Sequence, residues 1–179
     1  MRNSGIPHNT EDKSWWTRYG EQQEKAFVQT VAPQIGLQAQ INPAKAADKY
    51  APDLVVCGKI ADLKVQKTPF FTAQRYGKNP SETVTLNLKD YARYLHQYPT
   101  IEIYFYVHWQ QLAYQGLTVQ PRKGVWMTDL ETITRLKASQ KAPLHVYQRR
   151  VGDKLNANES FLLSLGDLCL IGELPDSGP

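Results

Sequence analysis

The stretch from Pro52 to Gln66, PDLVVCGKIADLKVQ, constrains this chain more than any other. Two apolar, β-branched runs flank Cys57 and Gly58, a pattern that predicts a tight hairpin with strands DLVV and KIADLKVQ. A turn centred on Cys57 and Gly58 pairs 56 with 59, 55 with 60, 54 with 61, and 53 with 62. Alternation then puts Leu54, Val56, Ala61, Leu63 and Val65 on one wholly apolar face, which must be core. Asp53, Val55, Ile60, Asp62 and Lys64 share the other face, with Asp53 opposite Asp62. Cβ atoms of directly opposed residues lie about 4.5–5.5 Å apart, where like charges destabilise a sheet. Lys64 offsets part of that cost, and a divalent cation held by both carboxylates would offset far more. Hard oxygen ligands with open positions suit magnesium or manganese, which bind phosphate oxygens and activate water.

Helix and strand signals surround the hairpin. Residues 1–14 are polar, carry Gly5 and Pro7, and predict a flexible arm. From Arg18 onward, Glu24, Phe27, Val28 and Val31 fall on one helical face, with Gln22, Lys25 and Gln29 on the other, so Glu24 lies on the apolar stripe. Pro33 and Gly36 close this helix, and 37–41 alternates as a short strand. A loop or short helix leads into the hairpin, and 68–82 forms a long, partly basic connection carrying Gln74, Arg75 and Lys78. TVTLN at 83–87 predicts a short strand. LKDYARYLHQY predicts a helix with Leu88, Tyr91, Leu95 and Tyr98 on one face and Lys89, Arg93 and Gln97 on another. IEIYFYVHW then reads as a buried strand. Beyond a polar link come a strand at VWM, a helix opened by a capping box of Thr128 and Glu131, and strands at LHVYQRR and SFLLSL. The expected organisation is a single domain over 15–179, with a core at about 18–108 and a C-terminal α/β extension at about 120–172.

Pro52-Asp53 followed by Asp62-Leu63-Lys64, on adjacent strands and after a helix with an inward-facing Glu24, resembles the PD-(D/E)XK, or restriction-endonuclease-like, phosphodiesterases. The order helix, three strands, helix, strand is similar to that family's core, and Asp62 stands where many members carry Glu. The resemblance implies an α/β fold whose mixed central sheet is flanked by helices, and a metal-dependent endonuclease that hydrolyses DNA phosphodiester bonds with a metal-activated water. It implies that Asp53, Asp62 and the main-chain carbonyl of Leu63 hold Mg2+, for which Mn2+ can substitute. Lys64 would orient or activate the water and stabilise developing charge. Glu24 resembles the acidic residue of the family's first helix, a further ligand of the metal or of its water. Glu21, one turn earlier, competes for that place, and the apolar stripe favours Glu24. Gln74 resembles a glutamine that some members carry near the site.

Several further residues could serve a nucleic-acid partner. Arg75, Lys78, Lys89 and Arg93 could contact phosphates, and Trp15, Trp16 and Tyr19 could stack on bases. Each also has an ordinary reading, as a solvated cation or a core aromatic. A net charge of +4 and a pI near 9.0 suit a polyanionic partner without requiring one. Cutting both strands of a duplex would call for a homodimer. RNA stays open as a substrate, and restriction, repair, recombination and phage functions all employ this fold.

Other classes find little support. Cys57 and Cys169 are far apart, which fits neither a disulfide framework nor a zinc ribbon and suggests the reducing cytoplasm. No apolar leader and no run of about 18 apolar residues occurs, so neither secretion nor membrane spanning is expected. Glycine-rich phosphate loops are absent, and His8, His96, His108 and His145 lack metal-ligand spacing. Two rivals to the nuclease reading remain. One is a nuclease-like module that binds nucleic acid or a protein without cutting; the other is an interaction protein whose hairpin charges are structural.

Overall fold

Lys13–Ala26 forms the first helix, α1, which runs through a π turn at Phe27–Val31 into Ala32–Gln34. The structure is a computed structural model and describes residues 13–48, 50–147 and 159–175. The helix starts earlier than the periodicity from Arg18 predicts. Its stripe is the expected one: Phe27 and Val31 are buried, Glu24 and Val28 are partly buried, and Gln22, Lys25 and Gln29 are exposed. The arm expected over 1–14 lies outside the described residues except at its end, where Lys13 and Ser14 open α1. The side chains of Trp15 and Trp16 lie outside them too.

The hairpin adopts its predicted register. After β1 (Ala39–Ile41), β2 (Leu54–Val56) pairs with β3 (Lys59–Gln66) as Leu54↔Ala61, Val55↔Ile60 and Val56↔Lys59. Cys57 and Gly58 have φ of 48° and 81°, the left-handed pair that a two-residue type I′ turn demands. Leu54, Val56 and Ala61 are fully buried and pack with Phe27 and Val31 of the first helical segment.

Next come β4 (Thr83–Asn87), α2 (Leu88–Gln97) and β5 (Glu102–His108). β5 lies parallel to β3, from Ala61↔Glu102 to Gln66↔Val107. A parallel partner needs a long crossover, and the segment carrying β4 and α2 supplies it. Ile103, Phe105 and Val107 are wholly buried on one face and Tyr104 is buried on the other, as a strand covered on both faces should be. A small hairpin, β6 (Ala113–Tyr114) and β7 (Leu117–Thr118), stands in the link expected to be irregular. The chain continues with β8 (Lys123–Asp129), α3 (Leu130–Ala138), β9 (Leu144–Val146), β10 (Glu159–Ser164) and β11 (Cys169–Glu173).

The main sheet is mixed, with order β1-β2-β3-β5-β8-β11, and helices cover it. A second sheet has order β4-β10-β9. The segment expected as a C-terminal extension thus supplies β8 and β11 to the main sheet and pairs β10 with β4. Two apolar clusters fill the fold: one joins the α1 segment to Leu54, Leu63 and Val125, the other joins α2 and α3 to Phe105, Phe161 and Leu163. Among the described residues, no helix is long and apolar enough to cross a membrane.

Two local expectations are corrected. Leu95 is 46% exposed, and Tyr94, fully buried, takes its place on the inner face of α2. The stripe therefore steps from Tyr91 by three residues, which brings an aromatic ring under Arg93. In α3 the cap is Asp129, whose Oδ1 accepts the Thr132 N–H at 2.7 Å. Thr128 cannot serve, because it is buried within β8 opposite Ile103.

Candidate functional site

Asp53 stands where β2 and β3 part. Their ladder ends at Leu54↔Ala61, so the Asp53 side chain is not held across from Asp62. It turns into the strand edge instead, where its Oδ2 accepts the Leu63 N–H at 3.3 Å. In an extended strand the N–H and C=O of one residue point to the same side, so the Leu63 carbonyl opens on this edge as well. Asn42 fixes the approach. Its N–H donates to the Asp53 carbonyl at 2.9 Å and its buried Nδ2 donates to the Pro52 carbonyl at 2.8 Å.

The same asparagine positions a residue that sequence reasoning missed. Asn42 Oδ1 accepts the Ala44 N–H at 3.1 Å and caps the 3-10 turn Pro43–Ala46, which presents Lys45. Lys45 Nζ lies 2.6 Å from Asp53 Oδ1 and 2.6 Å from Glu24 Oε1. Glu24 thus comes from α1 to the same point as Asp53, whereas Glu21 is exposed. An Asn-Pro pair is a helix-start signal; it marks the turn but not the reach of the lysine.

On the other face of β3 a second lysine joins two more carboxylates. Lys64 Nζ lies 2.8 Å from Asp62 Oδ2 and 2.7 Å from Asp90 Oδ2, with the Tyr94 hydroxyl at 3.4 Å. Asp90, from the first turn of α2, also meets Arg93 at 3.3 Å. The Asp62 side chain is only 4% exposed, and its Oδ2 has the lysine close by but no aligned hydrogen bond. Asp90 and Tyr94 went unread in the sequence because their i, i+4 spacing gains meaning only once α2 lies over β3.

Protonation follows from burial and neighbours. Burial raises the Asp53 carboxyl above its usual range and the Glu24 charge adds to this, against Lys45. Asp62 is raised by burial too, against Lys64 and with a contribution from Asp53. Burial works against the charge on Lys64, yet Asp62, Tyr94 and Asp90 outweigh it and lift its pKa well above the usual lysine value. Lys45 is raised in the same sense, burial being outweighed by Asp53 and Glu24. Both ammonium groups are therefore charged at neutral pH.

The donor set suits a hard divalent cation in one respect and departs from expectation in another. Glu24 and Asp53 converge on one point, and magnesium is commonly held by one or two carboxylates with water and phosphate completing its shell. Asp62 does not join them: among the described residues no three His, Cys, Asp or Glu side chains gather as a metal site. Beside Glu24 and Asp53 opens a cavity of about 320 Å³, lined by Tyr19, Gly20, Gln23, Leu63 and Val65 as well.

The remaining candidates are dispersed. Gln74 and Arg75 are exposed on the 3-10 turn Phe71–Tyr76, and Lys89 is exposed on α2. Lys78 donates to Ser164 Oγ at 2.7 Å. Arg93 lies over the Tyr94 ring, 4.9 Å from its centroid. Tyr19 accepts from Lys67 Nζ at 3.4 Å.

No family model matches the chain, and no curated protein or solved structure matches it.

Proposed function

We propose that the chain is a metal-dependent endonuclease that hydrolyses DNA, with a core of the restriction-endonuclease type. The observation that carries this reading is the turn of Asp53 onto Leu63 at the β2–β3 fork. It brings Asp53 to the strand edge that Glu24 approaches through Lys45, while Asp62 and Lys64 lie on the other face of β3 with Asp90. The order α1, β1, β2, β3, β4, α2, β5, in which β4 belongs to the second sheet and β3 and β5 are parallel, supports the fold.

In this reading Glu24, Asp53 and the Leu63 carbonyl would hold Mg2+ or Mn2+, which supplies a Lewis acid and lowers the pKa of water. Lys64, kept protonated by Asp62 and Asp90, acts as a fixed cation that binds a phosphate oxygen and stabilises developing negative charge. It is not the base. Four carboxylates against two lysines and Arg93 make the bare site acidic, so a phosphate backbone needs added positive charge to approach. Arg75 and Lys89, exposed, would guide it. A homodimer would present two such sites to a duplex.

One observation favours the rival reading of a nuclease-like module that binds without cutting. Lys45 and Lys64 each already bridge two of the carboxylates. Supercoiled, linear and branched DNA incubated with Mg2+, Mn2+ or chelator separates the two. Metal-dependent cutting that Asp62→Ala and Lys64→Ala lose supports the nuclease; DNA binding without cutting supports the module.

A further inference from the structure

Glu24 and Asp53 lie on different elements, and one ammonium group joins them. Lys45 Nζ is 2.6 Å from each carboxylate, with its side chain 18% exposed. This is the point on which a cation shared by these two residues would sit. The lysine reaches it from a turn whose backbone Asn42 latches to the Pro52–Asp53 segment, while its four-carbon stem is flexible. The ammonium can therefore swing away without unlocking the turn. The neighbouring cavity of about 320 Å³ gives a hydrated cation room to enter.

We propose that Lys45 is the resident counter-ion of this site: it holds Glu24 and Asp53 together in the absence of metal, and a divalent cation binds both carboxylates only by displacing it. The inference rests on the metal reading above. Lys45 thereby sets the metal concentration at which the site loads, because every binding event must break two ion pairs. It also prevents the repulsion that two converging, half-buried carboxylates would otherwise suffer.

The test is Mn2+ affinity by calorimetry or electron paramagnetic resonance, for wild type, Lys45→Met and Lys45→Gln. Lys59→Met, which removes an exposed partner of Glu102, serves as control. The Lys45 variants should bind at least about tenfold more tightly, equivalent to about 1.4 kcal/mol, and the control should match wild type. In chelator the Lys45 variants should melt lower, and Mn2+ should raise their melting temperature more than that of wild type. A second measurement uses the unaltered chain: the rate at which Lys45 is acetylated, read by mass spectrometry, should rise on saturation with Mn2+ while that of Lys59 does not. Equal Mn2+ affinity in all four proteins, or Lys45 acetylation unchanged by bound Mn2+, overturns the proposal and leaves the nuclease reading standing. If no variant takes up metal at millimolar concentration, both fall together.

Discussion

Replacing Lys64 by methionine should destabilise this protein strongly. The substitution keeps the stem but removes the ammonium that Asp62 and Asp90 share. Asp90 retains Arg93. Asp62 loses its ion-pair partner and keeps only the longer-range pull of Arg93, and its side chain is 4% exposed. Breaking one side of a buried ion pair costs about 3–5 kcal/mol, most of it the uncompensated charge. For a chain of this size each kcal/mol moves the melting temperature by about 2–4 °C, so a loss of about 6–20 °C is expected. The cost should also depend on pH. Burial raises the Asp62 carboxyl above its unfolded value, and loss of Lys64 raises it further. A raised carboxyl favours the folded state while both states are protonated, and that advantage is lost as pH rises through the folded pKa. The deficit should therefore be smaller at pH of about 5 than at about 8. Urea titrations at both values measure it. Pairing the substitution with Asp62→Leu should recover most of the loss, since an apolar pair can replace a buried ion pair at little cost. A single-variant loss below about 1 kcal/mol, or a double variant as unstable as the single one, would refute the reasoning.

Three further predictions follow from other parts of the fold. Asn42→Ala removes a buried donor from the Pro52 carbonyl and the cap of the Lys45 turn, which should cost about 1–3 kcal/mol in a denaturant titration; a neutral effect would mean that the latch is dispensable. Gly172→Ala would bring a Cβ within 2.7 Å of Ile35 Cγ2, and overpacking of this kind costs about 1–3 kcal/mol. An unchanged melting temperature there would contradict the packing of β11 against the end of the α1 segment. Lys45 and Lys64 both have raised pKa values, so their contribution is complete below the ordinary lysine value of about 10.4 and lost as pH rises through the folded values. Stability should fall as pH rises above about 10.4, and fall less in Lys64→Met; parallel profiles would count against the paired lysines.

What the sequence disclosed depended on how local the determining contacts are. The β2–β3 register follows from a two-residue turn and strict alternation, and every pair from 54↔61 to 56↔59 occurs as read. The preference for Glu24 over Glu21 came from the helical stripe, and the structure brings Glu24 to Asp53 while leaving Glu21 exposed. Asp53 opposite Asp62 was an extrapolation one residue past the end of the ladder, where the side chain finds the Leu63 N–H instead. The second sheet was beyond reach, because β4 pairs with β10 across some of the longest separations in the chain, and nothing local to TVTLN marks its partner. Lys45 and Asp90 belong to the same class. Each sits in a segment whose pattern is ordinary, and each acquires its role from a carboxylate or an ammonium on another element. The periodicity of α2 misassigned Tyr94 and Leu95 because a stripe of spacing three or four passes through either residue.

Asp53→Asn offers the most direct test of the nuclease reading. It keeps the side-chain oxygen that accepts the Leu63 N–H and replaces the one that faces Lys45 with an amide nitrogen, which leaves Lys45 to Glu24; no buried carboxylate is left unpaired, so it should not unfold the chain as loss of Lys64 does. Wild type and this variant, both shown folded by circular dichroism, are compared for nicking of supercoiled plasmid in Mg2+ and in excess chelator. The account predicts cutting by wild type in Mg2+ alone and none by the variant. Equal cutting by both proteins, or cutting that persists in chelator, would contradict it.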